Sequence, residues 1–230
     1  LFTFLALLLP LPWLERNNPE VYPWYRHAPE QWLYPLQTAI VLGLLIYFWR
    51  YYDLKPVRGL GFALVMALVG IAVWILPGHL FWKLGMEEGW YRVFGFTERA
   101  EGFDPRDVGE EGSMWYWLSV VMRFVRMVVV VALVEEIFWR GFLMRFLLDR
   151  DGDYWEQPFG KFSWLSFCAV TLLFMLAHAP SDYFGALVYG SLTYWVAVRT
   201  KSLAACVLMH AIANLVLGIY VMWSGRLGYW

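Results

Sequence analysis

The sequence predicts an all-α protein, a polytopic transmembrane bundle of about seven helices that forms a single membrane domain over residues 1–230. The first observation behind this fold class is composition: the chain is 60% hydrophobic, 20% aromatic and only 16% charged, and its mean hydropathy is +0.50. A soluble domain of this length carries about a quarter charged residues and could not bury so much apolar surface in one core. The second observation is that apolar runs close to the ~20 residues needed to cross a bilayer recur along the chain. A soluble enzyme, a nucleic-acid-binding protein and a disordered protein are therefore all unexpected.

The apolar runs predict the helices in chain order. Residues 1–11 are too short for a full span and are expected to be the end of a first helix. The further helices are predicted at 33–52, 60–80, 114–148, 162–179, 183–199 and 202–223. The helix at 114–148 would be about 52 Å long, which exceeds the thickness of a bilayer, so it must tilt, break or protrude.

Charge differs between the two sets of connectors. The connectors after residues 52, 148 and 199 hold eight basic residues (Lys or Arg) and five acidic residues (Asp or Glu). The remaining connectors and the C-terminal tail hold seven basic and twelve acidic residues. The positive-inside rule places the first set in the cytoplasm and makes 81–113 a large external loop. The formal net charge is −1, and the sequence contains neither a basic stripe nor a phosphate-binding Gly loop, so no nucleic-acid partner is expected.

Ionisable side chains inside the longest predicted helix require an explanation, because a charge at bilayer depth costs a few kcal/mol or more. Glu136 and Arg140 are spaced i,i+4 and can pair on one helix face. Glu135 points about 100° away from Glu136 and therefore has other neighbours. One carboxylate would be held in a pair while the other faces a cavity, as a general base requires. The alternative is a purely structural Glu–Arg pair between packed helices.

Polar side chains also interrupt two later helices. His178 lies at the end of the predicted helix at 162–179, where a lone His can equally be an interfacial hydrogen-bonding group. His210 and Asn214 share one helix face and could donate to one oxyanion, or could simply bond neighbouring helices. Arg123 and Arg126 lie in the outer part of the long helix, and we expect them to snorkel towards the interface rather than line a cavity mouth.

Three motifs together resemble a known family. Glu-Glu-x-x-x-Arg at 135–140, Phe-x-x-x-His at 174–178 and His-x-x-x-Asn at 210–214 are similar in order and spacing to the motifs of the CPBP (CAAX protease and bacteriocin-processing) family. This family comprises intramembrane type II CAAX prenyl endopeptidases and their bacterial relatives. The resemblance covers 114–223, the expected catalytic core. Trp139 departs from the family pattern, which usually has Phe there.

The resemblance implies an activity and a role for each matching residue. The chain would be a glutamate-dependent intramembrane endopeptidase, with no metal and no cofactor. Glu135 and His178 would activate water, and Glu136 and Arg140 would orient the site. His210 and Asn214 would stabilise the oxyanion. The expected substrate is a membrane-associated peptide or protein, and the expected location is a bacterial inner membrane, with the protein spanning the bilayer several times.

Two other functions stay open at this point. A zinc metalloprotease could use His178, His210 and a Glu, although no His-Glu-x-x-His motif is present. A non-proteolytic scaffold or transporter could keep the same polar groups for packing or for a proton path. Depth poses a further question, because His178 lies about 10 Å deeper than Glu135 when counted from Lys161. Either the membrane helix begins near Leu165, or the site opens towards the outer face.

Overall fold

A computed structural model of the protein describes residues 21–99 and 102–230, and this part of the chain is helical without a strand. The helices are α1 (Trp24–His27), α2 (Glu30–Tyr47), α3 (Leu60–Lys83), α4 (Met114–Phe146), α5 (Trp164–Leu176), α6 (Tyr183–Thr200) and α7 (Leu203–Ser224). The predicted all-α bundle is confirmed, and α2 to α7 agree with the six predicted helices to within a few residues. The helix expected at 1–11 lies outside the described residues.

Three helices of the described chain are long and apolar enough to cross a membrane: α3, α4 and α7. The apolar α5 is shorter, because it has only 13 residues. These lengths and compositions are those of an integral membrane protein. The orientation of the bundle and its assignment to a bacterial inner membrane remain predictions.

The long helix α4 contains two π-helical stretches. An α-helical turn at Ala132–Glu136 is flanked by two π-helical stretches, Val125–Val131 and Ile137–Leu143. π-helical turns are rare and occur frequently at functional sites. Both carboxylates of the first motif lie in the α-helical turn between these stretches. The predicted long helix is therefore continuous from Met114 to Phe146, with two stretches of π-helical geometry instead of a break.

The core lies where α3, α6 and α7 meet. Helix α7 packs against α3 and α4, while α6 packs against α3 and α5. Small side chains such as Ala63, Ala67 and Ala213 are buried there and let the backbones approach closely. Phe174 and Tyr189 fill the space between α5 and α6. A second buried cluster joins α2 to α4.

One end of the bundle is covered by connector residues 84–99 and 102–113 and by the C-terminal residues; we call this the loop end. Arg99 of the connector forms an ion pair with Asp182, in the turn between α5 and α6. The guanidinium of Arg99 also lies 3.9 Å from the ring centroid of Tyr229. The Tyr229 hydroxyl in turn donates to the Ile75 carbonyl at 3.1 Å. These contacts attach the connector and the C-terminal segment to the helices around the cavity described next.

Candidate active site

Four of the six predicted site residues line one cavity. A space of about 240 Å³ lies between α3, α4, α6 and α7, and Glu135, His178, His210 and Asn214 all border it. The remaining two predicted residues, Glu136 and Arg140, lie fully buried rather than on its wall. A larger cavity of about 610 Å³ at the loop end contains none of the six. The structure therefore brings the three sequence motifs together at one place.

The Glu136 carboxylate connects two motifs. Its Oε1 accepts hydrogen bonds from Arg140 Nη1 at 3.0 Å and from His210 Nδ1 at 2.8 Å. Arg140 Nη2 also donates to the Gly190 carbonyl of α6 at 3.2 Å. Glu136 and Arg140 are both 0% exposed, so their charges are compensated within the protein rather than by water. This network joins α4, α6 and α7 and fixes the ring of His210.

The Glu136 contact also decides the chemistry open to His210. An ionised carboxylate only accepts hydrogen bonds, so Nδ1 of His210 carries the proton in this contact. In the neutral ring, Nε2 is then an acceptor, and it becomes a donor only in the imidazolium form. Tyr189 packs edge-on against the same ring, with the centroids 5.7 Å apart. Any oxyanion bound by His210 through Nε2 therefore requires the imidazolium.

His178 is oriented by its own helix. It lies two residues beyond the end of α5, and its Nδ1 donates to the Phe174 carbonyl at 2.7 Å. The final carbonyls of a helix lack intrahelical partners and commonly accept such bonds. The ring of His178 lies 4.6 Å from the Phe174 ring and 5.3 Å from the Trp74 ring, centroid to centroid. The four-residue spacing of the Phe-x-x-x-His motif thus allows this local hydrogen bond from His178 to the Phe174 carbonyl. The bond uses Nδ1 as the donor and leaves Nε2 as the acceptor of the neutral ring.

Glu135 and Asn214 complete the cavity wall. Glu135 is half-buried, and its Oε2 is buried without a hydrogen-bond partner among the described residues. Asn214 Nδ2 donates to the Met127 carbonyl at 2.7 Å, within the first π-helical stretch of α4. The amide nitrogen carries two hydrogens, so one remains for a ligand. Glu135 thus supplies an uncommitted oxygen and Asn214 an available N–H.

The prediction that Arg123 and Arg126 snorkel is wrong. Each residue is only 8% exposed, and both line the cavity. The Tyr34 ring lies 5.0 Å from Arg123 Cζ and 4.2 Å from Arg126 Cζ. Helix α2 and the connector residue Phe103 cover this part of α4, so the guanidinium groups are held under aromatic rings. In the sequence, the feature that could have indicated this buried position was the i,i+3 spacing of the two arginines inside an apolar helix.

The start of α5 bears on the question of depth. Helix α5 begins at Trp164, close to the later start considered from the sequence. His178 lies just beyond the end of that helix, and the same cavity extends to Asp182 and Tyr229 at the loop end. The later start of the membrane helix is therefore supported, while the opening of the site towards the outer face stays a prediction. The cavity lies towards the loop end of the bundle and reaches the turn that follows α5.

Comparison with known families adds a separate finding. Residues 116–216 match the family described as type II CAAX prenyl endopeptidase Rce1-like. This part of the chain is similar to an Rce1-like domain. The three motifs identified in the sequence fall inside the matched range, which confirms the family resemblance. The family consists of CAAX endopeptidases, so the match supports protease activity for this membrane-embedded protein. No curated protein and no solved structure matches the chain.

Residues 21–99 and 102–230 contain no ligand set for a zinc ion. No group of three or more His, Cys, Asp or Glu side chains in those ranges is arranged to hold a metal ion. His178 and His210 border the same cavity, and each uses Nδ1 in a hydrogen bond, with the Phe174 carbonyl and with Glu136 respectively, so Nε2 is the nitrogen left for a ligand. The described residues add no third ligand to these two histidines, so they do not provide the set that the zinc alternative requires.

Proposed function

We propose that this Rce1-like protein is an intramembrane glutamate endopeptidase that hydrolyses a peptide bond of a membrane-associated substrate. The observation that carries the proposal is that Glu135, His178, His210 and Asn214, from three separate parts of the fold, border one cavity between apolar helices. Buried polar groups that converge on a cavity indicate a functional site.

The proposed reaction begins with a water molecule between Glu135 and His178. The Glu135 carboxylate removes one proton from the water, and His178 Nε2 accepts a hydrogen bond from the other hydrogen. The oxygen attacks the carbonyl carbon of the scissile bond and forms a tetrahedral oxyanion. Glu135 then gives its proton to the departing amine nitrogen as the C–N bond breaks. The products are a carboxylic acid and an amine, so the atoms of peptide and water balance.

His210 and Asn214 would hold the oxyanion. The imidazolium of His210 donates through Nε2, and Asn214 donates its second amide hydrogen. In soluble enzymes, loss of one such donor costs about 3–4 kcal/mol of transition-state stabilisation. Glu136 and Arg140 are positioning residues in this scheme, because they contact His210 and the α6 backbone rather than the substrate. Glu136 keeps Nδ1 of His210 protonated.

The test compares peptide products from membranes that contain the wild-type protein, Glu135→Gln or His178→Ala. Both variants should reduce cleavage by about 100-fold or more, since a positioned general base contributes about 10²–10⁴ in rate. Glu111→Gln is the matched control, because Glu111 is an exposed carboxylate outside the cavity. Mass spectrometry of the released peptides gives the rates, and thermal unfolding checks that each variant folds.

Unchanged turnover in both cavity variants would contradict the proposal. A scaffold or transporter would behave differently from a protease in the same preparation. It would produce no peptide products with the wild-type protein, and a transporter reconstituted in vesicles would carry a proton or solute flux. Either result would replace the endopeptidase proposal.

A further inference from the structure

Another cavity lies at the end of the bundle opposite the loop end, and we call it the interfacial cavity. Its volume is about 560 Å³, and it is bordered by the segment after α2, by the last turns of α4 and by the 149–163 connector. The basic connectors of the sequence lie at this end, where the positive-inside rule predicts the cytoplasm. The cavity contains none of the six predicted site residues, so the proposed reaction does not use it.

Aromatic side chains form much of the wall of the interfacial cavity. Phe48, Tyr51 and Trp155 border it and are exposed. Phe142 and Tyr154 continue the wall, with their ring centroids 4.9 Å apart. Aromatic side chains at the ends of membrane helices typically lie at the level of the lipid headgroups. The cavity is therefore expected to open into the headgroup region of the bilayer.

Another part of the wall is apolar and belongs to α4 and α7. Ile137 and Gly141 border the interfacial cavity from the second π-helical stretch of α4, and Leu203 borders it from the start of α7. Ile137 directly follows Glu136 in the sequence, and Gly141 directly follows Arg140. A ligand that fits this cavity would place an apolar part against these residues and a polar part at the rim.

Four charged side chains, two of each sign, border the same cavity: Asp53, Lys55, Arg145 and Glu156. None of the ion pairs found within 4.0 Å in the described chain includes any of the four. Asp53 and Asp153 act electrostatically on Arg145, but from beyond that distance. The rim therefore presents separate positive and negative groups to a ligand, and the charges of the four side chains sum to zero.

The 149–163 connector holds Arg145 in place. Arg145 Nε donates to the Gln157 carbonyl at 2.8 Å, and Nη2 donates to the Trp155 carbonyl. Its Cζ lies 5.9 Å from the Tyr154 ring centroid and 5.8 Å from that of Trp155. The guanidinium is therefore oriented before a ligand binds, and Nη1 is left as a donor.

The charges at the rim distinguish between classes of phospholipid. An anionic headgroup would be attracted by the two basic side chains and repelled by the two carboxylates. A zwitterionic headgroup has a negative phosphodiester and a positive amine, so it matches both signs. Quaternary amines are recognised through aromatic faces, but three of the rings here already face arginine side chains. A primary ammonium instead donates hydrogen bonds to carboxylates, and the rim offers two of these.

We propose that the interfacial cavity binds a zwitterionic phospholipid whose headgroup ends in a primary amine, such as phosphatidylethanolamine. Lys55 and Arg145 contact the phosphodiester. Asp53 and Glu156 accept hydrogen bonds from the ammonium group. The first part of the acyl chains lies against the apolar wall formed by the second π-helical stretch of α4. Binding at this site requires neither a peptide substrate nor peptide cleavage.

Native mass spectrometry of the purified protein, released from detergent micelles, measures the binding of single lipid molecules. Three lipids with identical acyl chains are titrated: phosphatidylethanolamine, phosphatidylcholine and phosphatidylglycerol. The ethanolamine lipid should bind about fivefold more tightly, or better, than either of the others. Glycerophosphoethanolamine, which is the headgroup without acyl chains, should not displace the lipid at an equal concentration, because it leaves the apolar wall without a ligand.

Substitutions at the rim test the two signs separately. Lys55→Gln should weaken binding of the ethanolamine lipid about fivefold, whereas Lys55→Arg keeps the charge and should retain most of the affinity. The double variant Asp53→Asn/Glu156→Gln should lose the preference for ethanolamine over choline and should bind phosphatidylglycerol more tightly than the wild-type protein does. Lys83→Gln, at an exposed position at the loop end, is the matched control and should leave every affinity unchanged. The Tm of each variant in micelles checks its folding.

Three outcomes would overturn the proposal. The first is a preference for the ethanolamine lipid below about fivefold in the wild-type protein, including equal binding of the three lipids or tighter binding of another one. The second is a preference that survives both Lys55→Gln and Asp53→Asn/Glu156→Gln, because the lipid would then be bound elsewhere. The third is displacement by glycerophosphoethanolamine at the concentration of the lipid, which would assign the cavity to a soluble ligand.

Discussion

Replacing Arg140 with Met should leave the Glu136 carboxylate in the core with one hydrogen-bond donor instead of two. The present pair is 0% exposed on both sides, with Arg140 Nη1 3.0 Å from Glu136 Oε1. Removal of one partner from a buried ion pair costs about 3–5 kcal/mol, because the remaining charge is uncompensated. The same substitution also removes the bond from Arg140 Nη2 to the Gly190 carbonyl.

The expected result is a lower midpoint of thermal unfolding. For proteins of about 150–250 residues, 1 kcal/mol changes Tm by about 2–4 °C. A loss of this size therefore predicts a decrease of roughly 6–20 °C. The intrinsic fluorescence of the 15 tryptophans reports unfolding in detergent micelles. Arg150→Met is the control, and its effect should stay within about 2 °C because it alters an exposed side chain.

The double variant Glu136→Gln/Arg140→Met identifies the cause of the loss. It contains no unpaired buried charge, and the introduced glutamine side chain retains an oxygen that can accept from His210. We expect it to recover at least half of the stability lost in Arg140→Met. A single variant that unfolds within about 2 °C of wild type, or a double variant less stable than the single one, would refute the argument from uncompensated charge.

Two further predictions concern packing and pH. Gly70→Ala would place a methyl group 2.7 Å from the Tyr189 ring and should lower Tm by several degrees. Gly43→Ala is the control, because its methyl group would meet no neighbouring atom within 4 Å, and it should not lower Tm. Equal effects of the two substitutions would contradict this reasoning. Burial, followed by the charge of Asp104, raises the pKa of Asp107, so the folded state holds this proton more tightly and its contribution to stability is lost as the pH rises. Asp107→Asn should therefore raise Tm by about 1–2 °C at pH 8 and by less at pH 4, and the same increase at both values would argue against the pKa shift.

The sequence predicted those parts of the site that depend on helical periodicity. Glu136 and Arg140 pair because i,i+4 side chains share one helix face in almost any tertiary context. His178 bonds the Phe174 carbonyl for the same local reason. The positions of α2 to α7 could likewise be read from the apolar runs, and three of these helices, α3, α4 and α7, are long and apolar enough to cross a membrane.

Only the tertiary structure decided which separate helices face each other. The bond between His210 and Glu136 joins residues 74 positions apart, and no local spacing determines it. The burial of Arg123 depends on Tyr34 and Phe103 lying over it, and this contact reversed the expectation of snorkelling. Helical period is set by backbone hydrogen bonds within a few residues, whereas burial depends on how whole helices pack. The sequence therefore determined the i,i+4 pairs within the motifs and the positions of the helices. Packing determined the cavity that the motifs share and the burial of the two arginines that line it.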